Sequence, residues 1–276
     1  MSLDSLSLEL LELAAALIAA GLVSGVLAGL FGVGGGAVLV PVFFQVLGLA
    51  GVDEAVRMHI SIATSTGIIL PTAIRSFKAH HARGVVDMAL LKGWIVWIPL
   101  GVVAATAVAS HLSSEGLRLV FAVIATLFAL RMIFNRASWR LGDDLPKSPV
   151  VRAAVGAVIG FLSTLMGIGG GVLNNTYMTL YGRPMHQAVA TSSGVGALIA
   201  VPGTIGFIVA GWGVPGLPPL SLGYVNLMGV ALIVPITLVT APLGVRLAHA
   251  LPKRRLEILF GIFLILVAAR FIVSLT

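Results

Sequence analysis

Ten apolar runs dominate this 276-residue chain, at about 10–31, 35–50, 59–77, 93–110, 117–135, 150–167, 171–182, 187–210, 222–248 and 256–275. A helix of about 20 residues crosses a bilayer. Backbone amides in lipid must all be paired within the protein, which a helix does along its own length. The composition requires such a solvent: 58% of residues are apolar, 10% are charged and the mean hydropathy is +1.09. An ordinary soluble domain carries roughly 25% charge. A soluble enzyme, a nucleic-acid binder and a disordered protein are thereby excluded. The reading is an all-α polytopic membrane protein with the lipid bilayer as its partner and no nucleic acid. Asp4, Glu9 and Glu12 take the place of a basic leader, so the first run is expected to be a retained helix. There are no cysteines, which removes disulfides, Cys-held metals and thiol nucleophiles. No cofactor, metal or catalytic residue is expected.

The runs fall into two sets of five that repeat each other. Gly32-Val33-Gly34-Gly35-Gly36 matches Gly167-Ile168-Gly169-Gly170-Gly171, 135 residues on. Met58-His59 with Ala63-Thr64-Ser65 matches Met185-His186 with Ala190-Thr191-Ser192, 127 on. Pro99 matches Pro235 at 136, and Phe121 and Arg131 match Phe260 and Arg270 at 139. The halves are 1–135 and 150–276, joined by a linker at 136–149. The second and seventh runs are short and tied to their predecessors by glycines. Glycine-turn hairpins are expected at 32–36 and 167–171, giving 8–10 membrane segments.

Placing the linker in the cytoplasm puts 14 of the 17 Lys and Arg in cytoplasmic connections. Arg57, Arg118 and Arg270 remain outside, as the excess of cytoplasmic positive charge requires. Five elements per half then turn the second half upside down. Loop 75–92 is basic while its counterpart 211–221 is uncharged, as inversion demands. Inverted-topology repeats are a mark of secondary transporters, with the site at the repeat interface.

Candidate binding residues follow from the matched blocks. Gly34, Gly35, Gly36 and Gly169, Gly170, Gly171 leave backbone N–H groups unshielded where short helices begin, a natural anion cradle. The same glycines would also let helices pack closely. Thr64 and Ser65, repeated as Thr191 and Ser192, place hydroxyls inside apolar runs, either to donate to an oxyanion or to bond the preceding turn. His59 and His186 stand five residues before each Thr. His80-His81 is read as part of a basic loop. Arg75 breaks the repeat against Pro202, as a buried anion ligand or as an interface anchor. Asn174 and Asn175 replace Leu39 and Val40 of the first half and need a polar environment. Asp53, Glu54, Asp87 and Glu115 are assigned to loops, and without a mid-helix carboxylate the expected cargo is an anion.

Gly29-Leu30-Phe31-Gly32-Val33-Gly34-Gly35-Gly36 through Val40-Pro41, then Ala63-Thr64-Ser65, with the second copy, resemble the TauE/SafE sulfite exporter family. The resemblance runs from about Leu17 to Ile272. Thr176 and the Asn174-Asn175 pair depart from the first copy. The resemblance implies a multi-pass transporter of the bacterial inner membrane, exporting sulfite or an organosulfonate such as sulfoacetate. An anion channel, an uptake transporter for another small anion, or a membrane assembly factor would fit the same composition, and a homo-oligomer is left open.

Overall fold

The computed structural model describes residues 15, 17–29, 35–134, 140–250 and 253–274. Gly34 lies outside the described residues. The described chain is helical apart from a short antiparallel hairpin. In chain order the helices are α1 (Leu17–Gly29), α2 (Gly36–Leu49), α3 (Glu54–Ala82), α4 (Met88–Trp94), α5 (Trp97–His111) and α6 (Ser114–Phe134). After the linker come α7 (Pro149–Met166), α8 (Gly171–Leu180) and α9 (Met185–Ala210). The strands β1 (Ser221–Leu222) and β2 (Val225–Asn226), α10 (Leu227–Ala250) and α11 (Lys253–Val273) complete it. Among the described residues five helices are long and apolar enough to cross a membrane, or six if α4 and α5, bent by 47°, form one span. The protein is an all-α polytopic membrane protein.

Local signals set the ends. Asp53 caps α3 by accepting from Ala55 N–H, and Asp87 caps α4 through Leu90 N–H. Pro149 opens α7, and Gly167 closes it at φ +63°. Gly35 and Gly170 precede α2 and α8 in nearly identical left-handed conformations, φ +75° and +74°. Three sequence expectations are corrected. The basic stretch after Arg75 is not a loop, because α3 continues to Ala82 and carries His80 and His81 in its last turn. At 29 residues α3 spans about 43 Å, longer than the hydrocarbon core, so its basic end stands in water. Residues 222–226 belong to the hairpin, and the ninth apolar run becomes helical only at Leu227, as α10. Glu257 is a buried acid inside α11, 3.8 Å from Arg254 near the helix start.

Packing follows the doubled sequence. α3 packs on its counterpart α9, and α6 on its counterpart α11. α5 lies on α7, as α10 lies on α1, where Gly21 faces Ile233 and Ile236. α2 lies on α3 as α8 lies on α9, and α5 on α9 as α10 on α3. These pairings survive exchange of the halves, whereas α3 also packs on α6 and the counterpart helices α9 and α11 make no comparable contact among the described residues. The linker docks on the second half through Leu141 N–H to Leu180 O (2.9 Å) and an Arg183–Asp144 ion pair (2.7 Å).

Candidate functional site

A cleft of about 370 Å³ opens between the C-terminal half of α3, the N-terminal half of α9, the C-terminal half of α10 and the end of α1. Its polar lining includes Gly169, Ser192 and Ser193, together with Thr72 and Ser76 of α3. Arg75 and His80 of α3, Arg83 at its C-terminal cap and Arg246 of α10 also line it. No lining residue is acidic. Among the described residues none of the three arginines pairs with a carboxylate. Their charge is uncompensated in a cleft whose exposed surface is mostly apolar, where weak screening strengthens attraction for an anion.

Ser192 is held by the two asparagines that break the repeat. Asn174 Nδ2 donates to Ser192 Oγ (2.7 Å), and Ser192 Oγ donates to Asn175 Oδ1 (2.8 Å). Both amides are buried, and Asn174 Nδ2 also reaches Ala188 O at 3.3 Å. A hydroxyl engaged in this way has a fixed direction, with its one hydrogen committed to Asn175 Oδ1. In the first half, where Leu39 and Val40 stand instead, Ser65 donates to Gly167 O at 2.9 Å.

The other predicted residues divide sharply. Arg75, Gly169 and Ser192 meet in the cleft; Asn174 and Asn175 stand behind Ser192. Thr64 and Thr191 do not line it. Each accepts a hydrogen bond from the residue that begins a helix of the opposite half: Asn226 N–H to Thr64 Oγ1 (3.0 Å) and Asp87 N–H to Thr191 Oγ1 (3.0 Å). The repeated threonines are reciprocal clamps between halves. Gly35 and Gly36 are buried contacts. A β-carbon on Gly36 would collide with the Gly167 carbonyl, so the two glycine turns touch inside the bundle. Gly170 packs on Val195 and Ile199, and Gly171 is buried beside it. His59 stacks on Tyr224 with centroids 4.9 Å apart, its Nε2 within 3.0 Å of Ala109 O, at the opposite end of α3 from the cleft. His186 is exposed at the start of α9.

Sequence reasoning missed Ser193, His80, Arg83 and Arg246 as site residues. A signal existed for the α3 members: positions 75, 76, 79, 80 and 83 fall on one helical face once the helix is extended past Arg75.

Comparison with known proteins agrees with this architecture. The family model described as Sulfite exporter TauE/SafE matches residues 17–271. A probable membrane transporter protein of Haemophilus influenzae is 33% identical over 248 residues, 90% of this chain and 94% of its own length. A probable membrane transporter protein of Methanocaldococcus jannaschii is 26% identical, covering 93% of this chain and 94% of its own. No solved structure matches the chain. A match spanning all but the ends of a polytopic helical bundle, with a relative aligned over nearly its full length, assigns the protein: it is a membrane transporter belonging to the TauE/SafE sulfite exporter family.

Proposed function

We propose that the protein is a secondary transporter exporting a small sulfur-containing oxyanion, sulfite or an organosulfonate such as sulfoacetate, across the bacterial inner membrane. The observation that carries this reading is the acid-free cleft with Arg75, Arg83, Arg246 and His80 around Gly169, Ser192 and Ser193. The cleft stands at the basic end of the bundle, which the positive-inside bias assigns to the cytoplasm. With the inside negative, each negative charge moved outward gains about 2.3 kcal/mol per 100 mV. Export of an anion on this scale needs no coupling ion. Inverted halves belong to the same reading, with both chain ends outside.

The test is calorimetric binding of sulfite, sulfoacetate, sulfate and thiosulfate to purified protein. Sulfite or sulfoacetate is expected to bind, more weakly as salt rises. Arg75→Gln and Arg246→Gln should each lower affinity without lowering thermal stability, since both side chains are exposed and free of ion pairs among the described residues. A folded protein that binds none of the four anions would overturn the reading. Counterflow in proteoliposomes separates a carrier from a channel, because only a carrier shows saturable exchange.

A further inference from the structure

The cleft has a counterpart in the repeat, and there the same walls are shut. Adding the 127-residue offset of α3 to α9 turns Ser76 and Ala79 into Gly203 and Gly206. Subtracting the 136-residue offset of α5 to α10 turns Leu238 and Pro242 into Val102 and Thr106. Ser76, Ala79, Leu238 and Pro242 all line the open cleft. Their four counterparts are pressed together at the other end of the bundle. A β-carbon on Gly206 would lie 2.7 Å from Thr106 Oγ1 and 3.0 Å from Thr106 Cβ, and one on Gly203 would lie 3.5 Å from Val102 Cγ1. Val102 is fully buried and Thr106 is 5% exposed, whereas Ala79 and Pro242 are exposed. One sequence repeat thus holds the same helix pair, α3–α10 or α9–α5, in two packings within one molecule.

We propose that Val102 and Thr106 against Gly203 and Gly206 form a closed outer gate, that Ser76 and Ala79 facing Leu238 and Pro242 form an open inner gate, and that the two exchange states during transport. This rests on the reading of the chain as a carrier whose substrate enters this cleft. The α9–α5 packing is an approximate template for the one α3 and α10 must adopt, with Ser76 and Ala79 in place of glycines holding the helices slightly further apart. The outward-open state follows from α10 closing on α3 as α5 parts from α9. The exchange is unequal in charge. The positions matching Arg75, His80, Arg83 and Arg246 are Pro202, Phe207, Ala210 and Ser110. The outward-open vestibule has no cation at these positions, and an anion drawn in by the inner face is released at the outer one.

The absence of cysteine makes the test direct. Ala79→Cys with Pro242→Cys is chosen because β-carbons at their counterparts would be 3.0 Å apart, just inside the roughly 3.5–4.5 Å that a disulfide spans, so the pair comes within bridging distance as α10 closes on α3. Thr106→Cys is added as the reporter; buried, it is shielded while the first pair is oxidised. In the unlocked protein Thr106→Cys should resist a membrane-impermeant maleimide applied from outside. A minor conformer is commonly populated at 0.1–10%, so closing the inner disulfide should raise the labelling rate by about tenfold to a thousandfold. Protection of Thr106→Cys persisting in folded, fully cross-linked protein overturns the proposal, as does failure of the inner pair to oxidise in a protein of native thermal stability. The assay uses no substrate, so failed anion binding would strike the transport reading and leave this outcome to be judged alone. A reciprocal lock, Thr106→Cys with Gly206→Cys, should abolish flux while keeping anion binding from the cytoplasmic side; flux through the locked form also refutes the gate.

Discussion

Two neighbouring serines in the cleft should respond differently to loss of their hydroxyls. Ser193 Oγ donates to Ala190 O of its own helix at 2.6 Å, so Ser193→Ala removes a bond that leaves only a helical carbonyl with its ordinary partner. Ser192 Oγ instead joins Asn174 Nδ2 at 2.7 Å to Asn175 Oδ1 at 2.8 Å. After Ser192→Ala, Asn174 keeps only the longer contacts to Ala188 O at 3.3 Å and Met178 Sδ at 3.4 Å. A buried polar group that loses its partner costs about 1–3 kcal/mol. Ser192→Ala should therefore lose about 1–2 kcal/mol of stability and Ser193→Ala less than about 0.5 kcal/mol. Ser192 spends its one hydrogen on Asn175 Oδ1, so Ser192→Ala should leave sulfite affinity per folded molecule within about threefold. Ser193 can turn its hydrogen from Ala190 O, which keeps its helical partner, to an anion, a bond worth about 1.5–3 kcal/mol, so Ser193→Ala should bind sulfite about tenfold more weakly. Thermal unfolding in detergent and calorimetric affinity on the same samples give both quantities. Native affinity in Ser193→Ala would remove that hydroxyl from the anion site. Native stability in Ser192→Ala would mean the asparagine pair does not depend on it.

Gly35→Ala should destabilise more than Gly170→Ala. Both carry the strain of positive φ, about 1–2 kcal/mol, but a β-carbon at Gly35 sits 2.7 Å from the Ser24 carbonyl oxygen, whereas at Gly170 it meets the movable tips of Ile199 and Val195. Equal unfolding temperatures would contradict this. Thr64→Val and Thr191→Val each leave a helix-starting N–H without its acceptor and should lose about 1–3 kcal/mol while anion affinity per folded molecule is unchanged; a selective affinity loss would return the threonines to the site. A periplasm-active reporter fused after Thr276 should be active and a cytoplasm-active one silent; the opposite pattern would refute inverted halves.

Much of the fold could be read from the sequence because lipid leaves the backbone few choices. Ten apolar runs became α1–α3, the α4–α5 pair and α6–α11 with ends shifted by a few residues. The matched glycines took matched left-handed conformations at Gly35 and Gly170. The site was less legible, since a hydroxyl in an apolar run has the same sequence appearance whether it faces cargo, a helical carbonyl or the other half. Thr64 and Thr191 repeat because both halves need a clamp, which spacing alone cannot separate from shared ligation. His59 and His186 repeat in sequence and yet diverge, one buried against Tyr224 and the other in water. Asymmetry was the better guide: Arg75, Asn174 and Asn175, which break the repeat, all converge on the cleft and its floor.

The contacts between halves also fix an order of events at the ribosome. Thr64 awaits Asn226, 162 residues later, and Ser65 awaits Gly167, 102 later; Arg118, fully buried, has Glu54 of its own half but awaits Ser274, 156 later. At synthesis rates of about 5–20 residues per second, the first half spends roughly 5–30 seconds in the bilayer without these partners. Its polar side chains must meanwhile stay near the insertion machinery, water or lipid headgroups. A nascent chain truncated between Gly167 and Asn226 should therefore be a substrate for membrane proteases, and completion of α10 the point at which that vulnerability falls.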